Sequence, residues 1–156
     1  MAVEIRRREP ADLPGCVDLL RQSFEHDAYP TRWPVEPELF LTPENLAGAW
    51  VACDAQKPQA VLGHMVLVPA SGGLEVSRLF TSRAHRGAGL GAALLNTALE
   101  HARAAGVELS LQVVEGTTAV GFYEAQGWRY QQTVDAYWVL ADGTIPRMRC
   151  YAAPLR

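Results

Sequence analysis

Apolar and polar residues alternate singly at the start of the chain, where Glu4 separates Val3 from Ile5 and Arg6 follows. A period of two turns one face of an extended strand toward a core. The spacing then lengthens. In LPGCVDLLRQSF, Val17, Leu20 and Phe24 recur at intervals of three and four, which predicts a helix opened by Asp12. The next stretch, EHDAYPTRWPVEP, carries Pro30, Pro34 and Pro37 and reads as a loop. Thr42-Pro43-Glu44 offers a hydroxyl cap, a first-turn proline and a carboxylate at the positive end of a helix dipole. A second, short helix is therefore expected there, closed by Gly48.

Three strands follow in AWVAC, VLGHMVLV and GGLEVSRLFT, and the polar connections DAQKPQ and PASGG suit antiparallel hairpins. Beyond RGAGLGA the period returns to that of a helix. Asn96, Glu100 and Arg103 form its polar face, Leu94, Leu95, Ala98, Leu99 and Ala102 its apolar side, and Gly106 stands where a C-cap glycine belongs. VELSLQV alternates again, with Leu109, Leu111 and Val113 on one face. Thr117 is placed to cap a short helix, TAVGFYEAQ, ended by Gly127. WRYQQTVDAYWVL and IPRMRCY read as two strands joined through Ala141-Asp142-Gly143-Thr144, whose Asp-Gly pair is a hairpin signal. The order is β α α β β β α β α β β, with no internal repeat and no linker. This is an α/β layer structure: about seven strands in a mixed, mostly antiparallel sheet with four helices, in one domain over 1–156.

Composition narrows the partners. The 156 residues are 49% hydrophobic and 20% charged, the balance of an ordinary globular protein. A net charge of −3 with no basic block argues against nucleic acid, and Arg6, Arg7 and Arg8 read as a solvated strand face. Cys16, Cys53 and Cys150 are odd in number and widely spaced, which favours reduced thiols over a disulfide framework or a metal site. MAVEIRRREP puts charges where a secretory leader needs an apolar core, and no segment approaches the ~20 apolar residues of a membrane span. A cytoplasmic protein acting away from membranes is expected.

The most specific signal is Arg86-Gly87-Ala88-Gly89-Leu90-Gly91-Ala92. Glycines before a helix let backbone N–H groups turn toward an anion, and the helix end adds about half a positive charge. Two ligands suit that pattern. The run satisfies the dinucleotide fingerprint G-x-G-x-x-[G/A], with Glu108 available as the ribose acid. However, SRAHR intervenes between the strand and the first glycine, and the chain ends in a hairpin instead of further βα units. The pyrophosphate of coenzyme A fits this context better, with Arg86 adding a charge that does not titrate away.

Arg86-Gly87-Ala88-Gly89-Leu90-Gly91 is similar to the R/Q-x-x-G-x-G/A signature of the GNAT superfamily of acetyl-coenzyme A-dependent N-acetyltransferases. FYEAQGW, residues 122–128, resembles that family's aromatic-Tyr-Glu-x-x-Gly-[Phe/Trp] element, and EIRRREPADLPGCVDLL resembles its first strand and helix. The resemblance covers nearly the whole chain. It implies a GNAT-like fold in which strands 74–81 and 108–114 splay apart and the pantetheine arm of acetyl-CoA, a cosubstrate, enters between them. Backbone groups of Leu79, Phe80 and Thr81 would then pair with pantetheine, and N–H groups from Gly87 through Ala92 would hold the pyrophosphate. Where the family often has an asparagine opening the last helix, this chain has Gly116-Thr117-Thr118.

The implied reaction is direct transfer of acetyl to a primary amine in a ternary complex. Tyr123 reads either as a core aromatic or as the general acid; a phenol with a reference pKa near ~10 stays protonated at neutral pH. Glu75 is the first choice for a base, sharing a strand face with Ser77 and Leu79; His64 and Glu115 are alternatives. Tyr29, Trp33 and Trp138 are expected around the acceptor, with Tyr137 beside them and Glu25 and Asp27 placed to attract a cationic amine. The acceptor is a small-molecule or protein amine, and a second copy of the chain is a candidate partner. The alternative is a non-catalytic acyl-CoA-binding sensor or regulatory domain.

Overall fold

A computed structural model describes residues 1–155. The alternating segments become β1 (Val3–Arg7), β2 (Gly48–Asp54), β3 (Gly63–Ala70), β4 (Gly73–Thr81), β5 (Glu108–Val114), β6 (Arg129–Asp135) and β7 (Arg147–Ala152). They form one seven-stranded sheet in the order β1-β2-β3-β4-β5-β7-β6. Every neighbouring pair is antiparallel except β4 and β5. The helices are α1 (Leu13–Asp27), α2 (Pro37–Phe40), α3 (Leu90–Ala105) and α4 (Thr118–Ala125). The expected order of elements and the mixed sheet are both observed.

Helices cover both sheet faces. On one, α3 buries Leu90, Leu94, Leu95, Ala98 and Ala102 in a cluster that includes Trp50, Met65, Leu67 and Leu111. On the other, Cys16, Leu19 and Leu20 of α1 pack with Leu41, Val51 and Phe80. The stripe read from sequence is thus the core-facing side of α3, and Gly106 ends the helix at φ 69°. Among the described residues no helix is long and apolar enough to cross a membrane.

The parallel pair β4–β5 is pinned at one end and open at the other. Pairing runs only from Gly73 opposite Glu108 to Val76 opposite Leu111. At the pinned end the Glu108 backbone approaches so closely that a Cβ on Gly73 would overlap the Glu108 carbonyl oxygen. Beyond Val76, β4 bends away. Arg78 and Leu79 together oppose Met65, because His64 pairs with Phe80 and Val66 with Ser77. This is a β-bulge, with Arg78 at φ 53°, a conformation uncommon for a side chain of that size.

His64 holds the bulge from beneath. Its Nδ1–H donates to the Arg78 carbonyl at 2.8 Å, and its Nε2 accepts from Nη1 of Arg8 at 2.9 Å. The carbonyl can only accept and the guanidinium can only donate, which fixes this neutral tautomer. The ring is fully buried and stacks on Phe80 at 5.0 Å. Burial pushes its pKa down to about 4.

Four expectations change. The bulge breaks the alternation, so Leu79 packs with the α3 cluster while Phe80 packs with α1; Glu75 and Leu79 do not share a face. The short helix starts at Pro37 instead of Thr42. Leu41 is drawn into the core, Arg8 takes the Leu41 carbonyl at 2.6 Å and the Thr42 hydroxyl at 2.8 Å, and Asn45 turns the chain at φ 62° toward β2. Of Arg6 to Arg8, only Arg7 is exposed as a solvated face requires. Arg6 forms two 2.8 Å bonds to Asp12, Arg7 lies over Trp50, and Arg8 is held as described. Finally, β6 stops at Asp135, so Tyr137 and Trp138 belong to a loop whose tip is the Asp142-Gly143 turn.

Two outcomes follow from this packing. The folded-state pKa of His64 lies below the ordinary value of ~6.5, so its neutral form contributes stability above that pH, lost as pH falls toward about 4. Thermal melts of the native protein should therefore fall between pH 7 and 5, and His64→Ala should be less stable at pH 7 but flatter across that window. Gly73→Ala should cost about 1–3 kcal/mol in denaturant titration by forcing the pinned strands apart.

Candidate functional site

The opening between β4 and β5 leads into a cleft of about 1660 Å³ that runs from the N-terminus of α3 to the loops preceding α2 and β7. At one end lies the glycine run. Gly87 (φ 92°) and Gly89 (φ 80°) adopt the left-handed conformation, with nothing within 4 Å of where a Cβ would project. Gly89 is the N-cap of α3 and offers no side chain to its orphan N–H groups. The N–H groups of Gly87, Gly89, Leu90, Gly91 and Ala92 have no hydrogen-bond partner among the described residues. Ala88 differs, because its N–H already donates to the His85 carbonyl at 3.1 Å. The run thus presents five free donors at the positive end of a helix of 16 residues.

Arg86 stands at this end but is not unpaired. Its Nη2 meets Oδ2 of Asp27 at 2.6 Å, joining the loop to the last residue of α1. Asp27 is therefore committed to Arg86 and not to a cationic amine, while Glu25 is exposed on α1 and does not line the cleft. Gly91 fits under Phe122, whose ring would lie 3.0 Å from an added Cβ. That contact seats α4 against the start of α3.

Along the floor, strand alternation decides which backbone groups are free. Ser82 N–H bonds to Leu62 O at 2.7 Å on the β3 side, so Phe80 also turns its backbone toward β3, opposite His64. Leu79 and Thr81 turn theirs to the unpaired edge. Of the three positions expected to offer an edge, Phe80 instead contributes its ring to the core beside Tyr29, at 6.1 Å.

Tyr123 projects from α4 between Phe122 and Trp128, at 5.4 and 6.4 Å between ring centroids. It is buried, yet it lines the cleft, and its hydroxyl has no protein hydrogen bond among the described residues. Burial raises its pKa, so the phenol keeps its proton through neutral and mildly alkaline pH. Thr117 occupies the N-cap of α4, but its hydroxyl donates to the Val114 carbonyl at 2.8 Å instead of accepting from the helix. Outside the cleft, Tyr151 donates to Glu124 at 2.7 Å and receives Arg149 Nε at 3.0 Å, which braces the helix that carries Tyr123.

Glu75 lies on β4 before the bulge and lines the cleft. Burial raises its carboxyl above the ordinary range, and the nearby Arg78 opposes that shift. His64 has both ring nitrogens engaged, so it has no lone pair for a substrate proton. Glu115 is exposed, faces Arg149 at 3.6 Å, and is not part of the cleft wall.

Aromatic residues close the far end. Tyr29 and Trp33 line it as expected, although Trp33 is also held between Arg21, at 4.3 Å over its ring, and Phe24, at 5.7 Å. Trp138 Nε1 donates to Thr31 Oγ1 at 3.2 Å, which joins the loop before β7 to the loop before α2. Tyr137 packs edge-on against Trp138 but is 93% exposed. Arg78 and Phe40 also face the cleft and carried no signal in the sequence, because their placement comes from the bulge and from the displaced α2.

The acetyltransferase (GNAT) family model matches residues 13–128. Solved structures share the fold over nearly their full length. A GCN5-related N-acetyltransferase from Kribbella flavida is 25% identical with a TM-score of 0.74, covering 99% of this chain and 98% of that one. The ribosomal-protein-alanine N-acetyltransferase of Brucella melitensis is 22% identical with a TM-score of 0.75, covering 97% and 99%. Arabidopsis thaliana NAA60, solved in complex with acetyl-CoA, is 15% identical with a TM-score of 0.72, covering 97% and 98%. A comparison with curated protein sequences finds no match. With the family model spanning most of the sheet, the glycine run and Tyr123, this chain belongs to the acetyltransferase (GNAT) family.

Proposed function

We propose that the whole chain is one catalytic domain that transfers acetyl from acetyl-CoA to a primary amine held in the same cleft. The observation that carries this reading is the continuity of one cleft. It joins the free N–H groups at the start of α3, the unpaired edge of β4, the Tyr123 hydroxyl and the Glu75 carboxylate. The residues fit the group. Gly87, Gly89, Leu90, Gly91 and Ala92 suit a pyrophosphate, and the Leu79 and Thr81 backbone suits the amides of pantetheine as an added strand would.

Acetyl-CoA, when bound, supplies an activated thioester. The residues of the chain manage the proton. An N–C bond forms as the C–S bond breaks, and the amine loses a proton while the sulfur gains one. Glu75 accepts from the amine, directly or through water. Its raised carboxyl pKa brings it closer to the neutral range, where a base is most useful. Tyr123 donates to the departing sulfur, and its burial guarantees that the proton is present. Both groups are supported by rigid elements, so their approach costs little reorganisation.

Calorimetric titration should show acetyl-CoA binding and no response to NADH. Gly89→Asp should abolish that binding, because it places bulk and negative charge against the free N–H groups; normal affinity would remove the loop from the site. Tyr123→Phe should slow thiol release at least ~10-fold with acetyl-CoA affinity almost unchanged, as loss of a proton donor requires. Unchanged turnover in that variant would assign Tyr123 to packing alone.

A further inference from the structure

The acceptor end of the cleft holds two opposite charges that do not satisfy each other. Glu75 and Arg78 both line it from β4, yet no ion pair joins them within 4.0 Å. Arg78 is fixed in place. Its guanidinium lies 4.1 Å over the Phe40 ring, Nε donates to the Phe40 carbonyl at 3.0 Å, and Nη1 donates to the Ser77 hydroxyl at 3.1 Å. That uses two of the five N–H donors of a guanidinium; the Tyr29 hydroxyl lies beside the same group, and no hydrogen bond from Nη2 is formed within 3.5 Å among the described residues. The bulge places Arg78 at φ 53° and so aims a rigid, half-filled fork into a substrate cleft. The other charged side chains near this end, Arg32 and Glu44, are exposed at the rim.

The mouth above these charges is bridged. The 3.2 Å bond from Trp138 to Thr31 crosses from one loop to the other, and Tyr29 and Phe40 wall the space below it. A chain crossing between these two loops would have to part that bond. A simple amine would leave the Arg78 fork unanswered, and a peptide N-terminus would meet it with one neutral carbonyl in place of a bidentate carboxylate.

We infer that the acceptor is a free amino acid, bound as a zwitterion with its carboxylate on Arg78 and its amino group toward Glu75. This rests on the acetyl-transfer reading above and names the substrate class for the same site. The aromatic walls favour an uncharged, largely apolar side chain. Arg78 is then the specificity determinant: it orders the acceptor through the carboxylate and takes no part in moving the proton.

The test compares the common L-amino acids with their α-carboxamides, their decarboxylated amines and a short peptide, as acceptors in acetyl-CoA-dependent thiol release. Equilibrium binding of the same compounds to protein saturated with coenzyme A is measured in parallel. At least one free amino acid should bind and turn over, with its carboxamide reduced at least ~30-fold in kcat/KM. Arg78→Met, which retains a long apolar stem over Phe40, should raise KM for the acid far more than it lowers kcat. It should erase the preference over the carboxamide and leave acetyl-CoA affinity unchanged. Because the wild-type comparison alone discriminates, a poorly folding variant does not remove the test. Equal or better use of carboxamides or the peptide overturns the inference while leaving acetyl transfer intact. Binding of acetyl-CoA with no amino acid used or bound does the same. Failure to bind acetyl-CoA overturns both readings.

Discussion

The site depends on a parallel strand pair that is allowed to form only halfway. Gly73 lets the two backbones meet so closely that no side chain fits between them, and the pairing ends three residues later at Val76. Every backbone donor in a sheet interior needs a partner, so an abrupt end to pairing inside a seven-stranded sheet creates an unmet demand for hydrogen bonds. The bulge at Arg78 makes that demand permanent by turning β4 off the line that would have extended the ladder. An opening of this kind is a property of two strands in a fixed relation and not of a flexible loop. Its width is set by the core on either side.

Around the opening, charge is apportioned and not merely concentrated. Arg86 shares its charge with Asp27, which ties the glycine run to α1. Arg8 shares a half-buried position with His64, the Leu41 carbonyl and the Thr42 hydroxyl. Burial works against the ionised form of Glu75 and against deprotonation of Tyr123. Arg78 is held by Phe40 and Ser77, lies beside the Tyr29 hydroxyl and faces the cleft. The neighbouring residues Tyr151, Arg149 and Glu124 hold α4 from outside, so Tyr123 is aimed by packing on one side and by hydrogen bonds on the other.

Much of this was legible from the chain. Period-two and helical spacing located all seven strands and three of the helices, and the glycines before Leu90 announced a bare helix N-terminus because few other residues permit φ near 80°. Less legible were features decided by distant partners. Thr42-Pro43-Glu44 has good helix-start chemistry, but the burial of Leu41 and the bonds from Arg8 claim the segment first. Arg6, Arg7 and Arg8 look alike in sequence and find three unrelated partners in space. The bulge has no glycine to mark it, so the faces of Glu75 and Leu79, the loss of the Phe80 edge and the aim of Arg78 were hidden together. One inserted residue shifts everything after it to the other face.

The hydrogen bonds through His64 link distant parts of the chain. They run from Arg8, just past the first strand, through the imidazole to the carbonyl of Arg78 at the bend in β4. β1 is an edge strand that contributes no wall to the cleft, and by position alone it is the most dispensable element of the sheet. Yet the bend that opens the sheet is supported by a residue that β1 delivers. Trimming the chain past Arg8 therefore removes support from the bend in β4, although none of the residues lost lines the cleft.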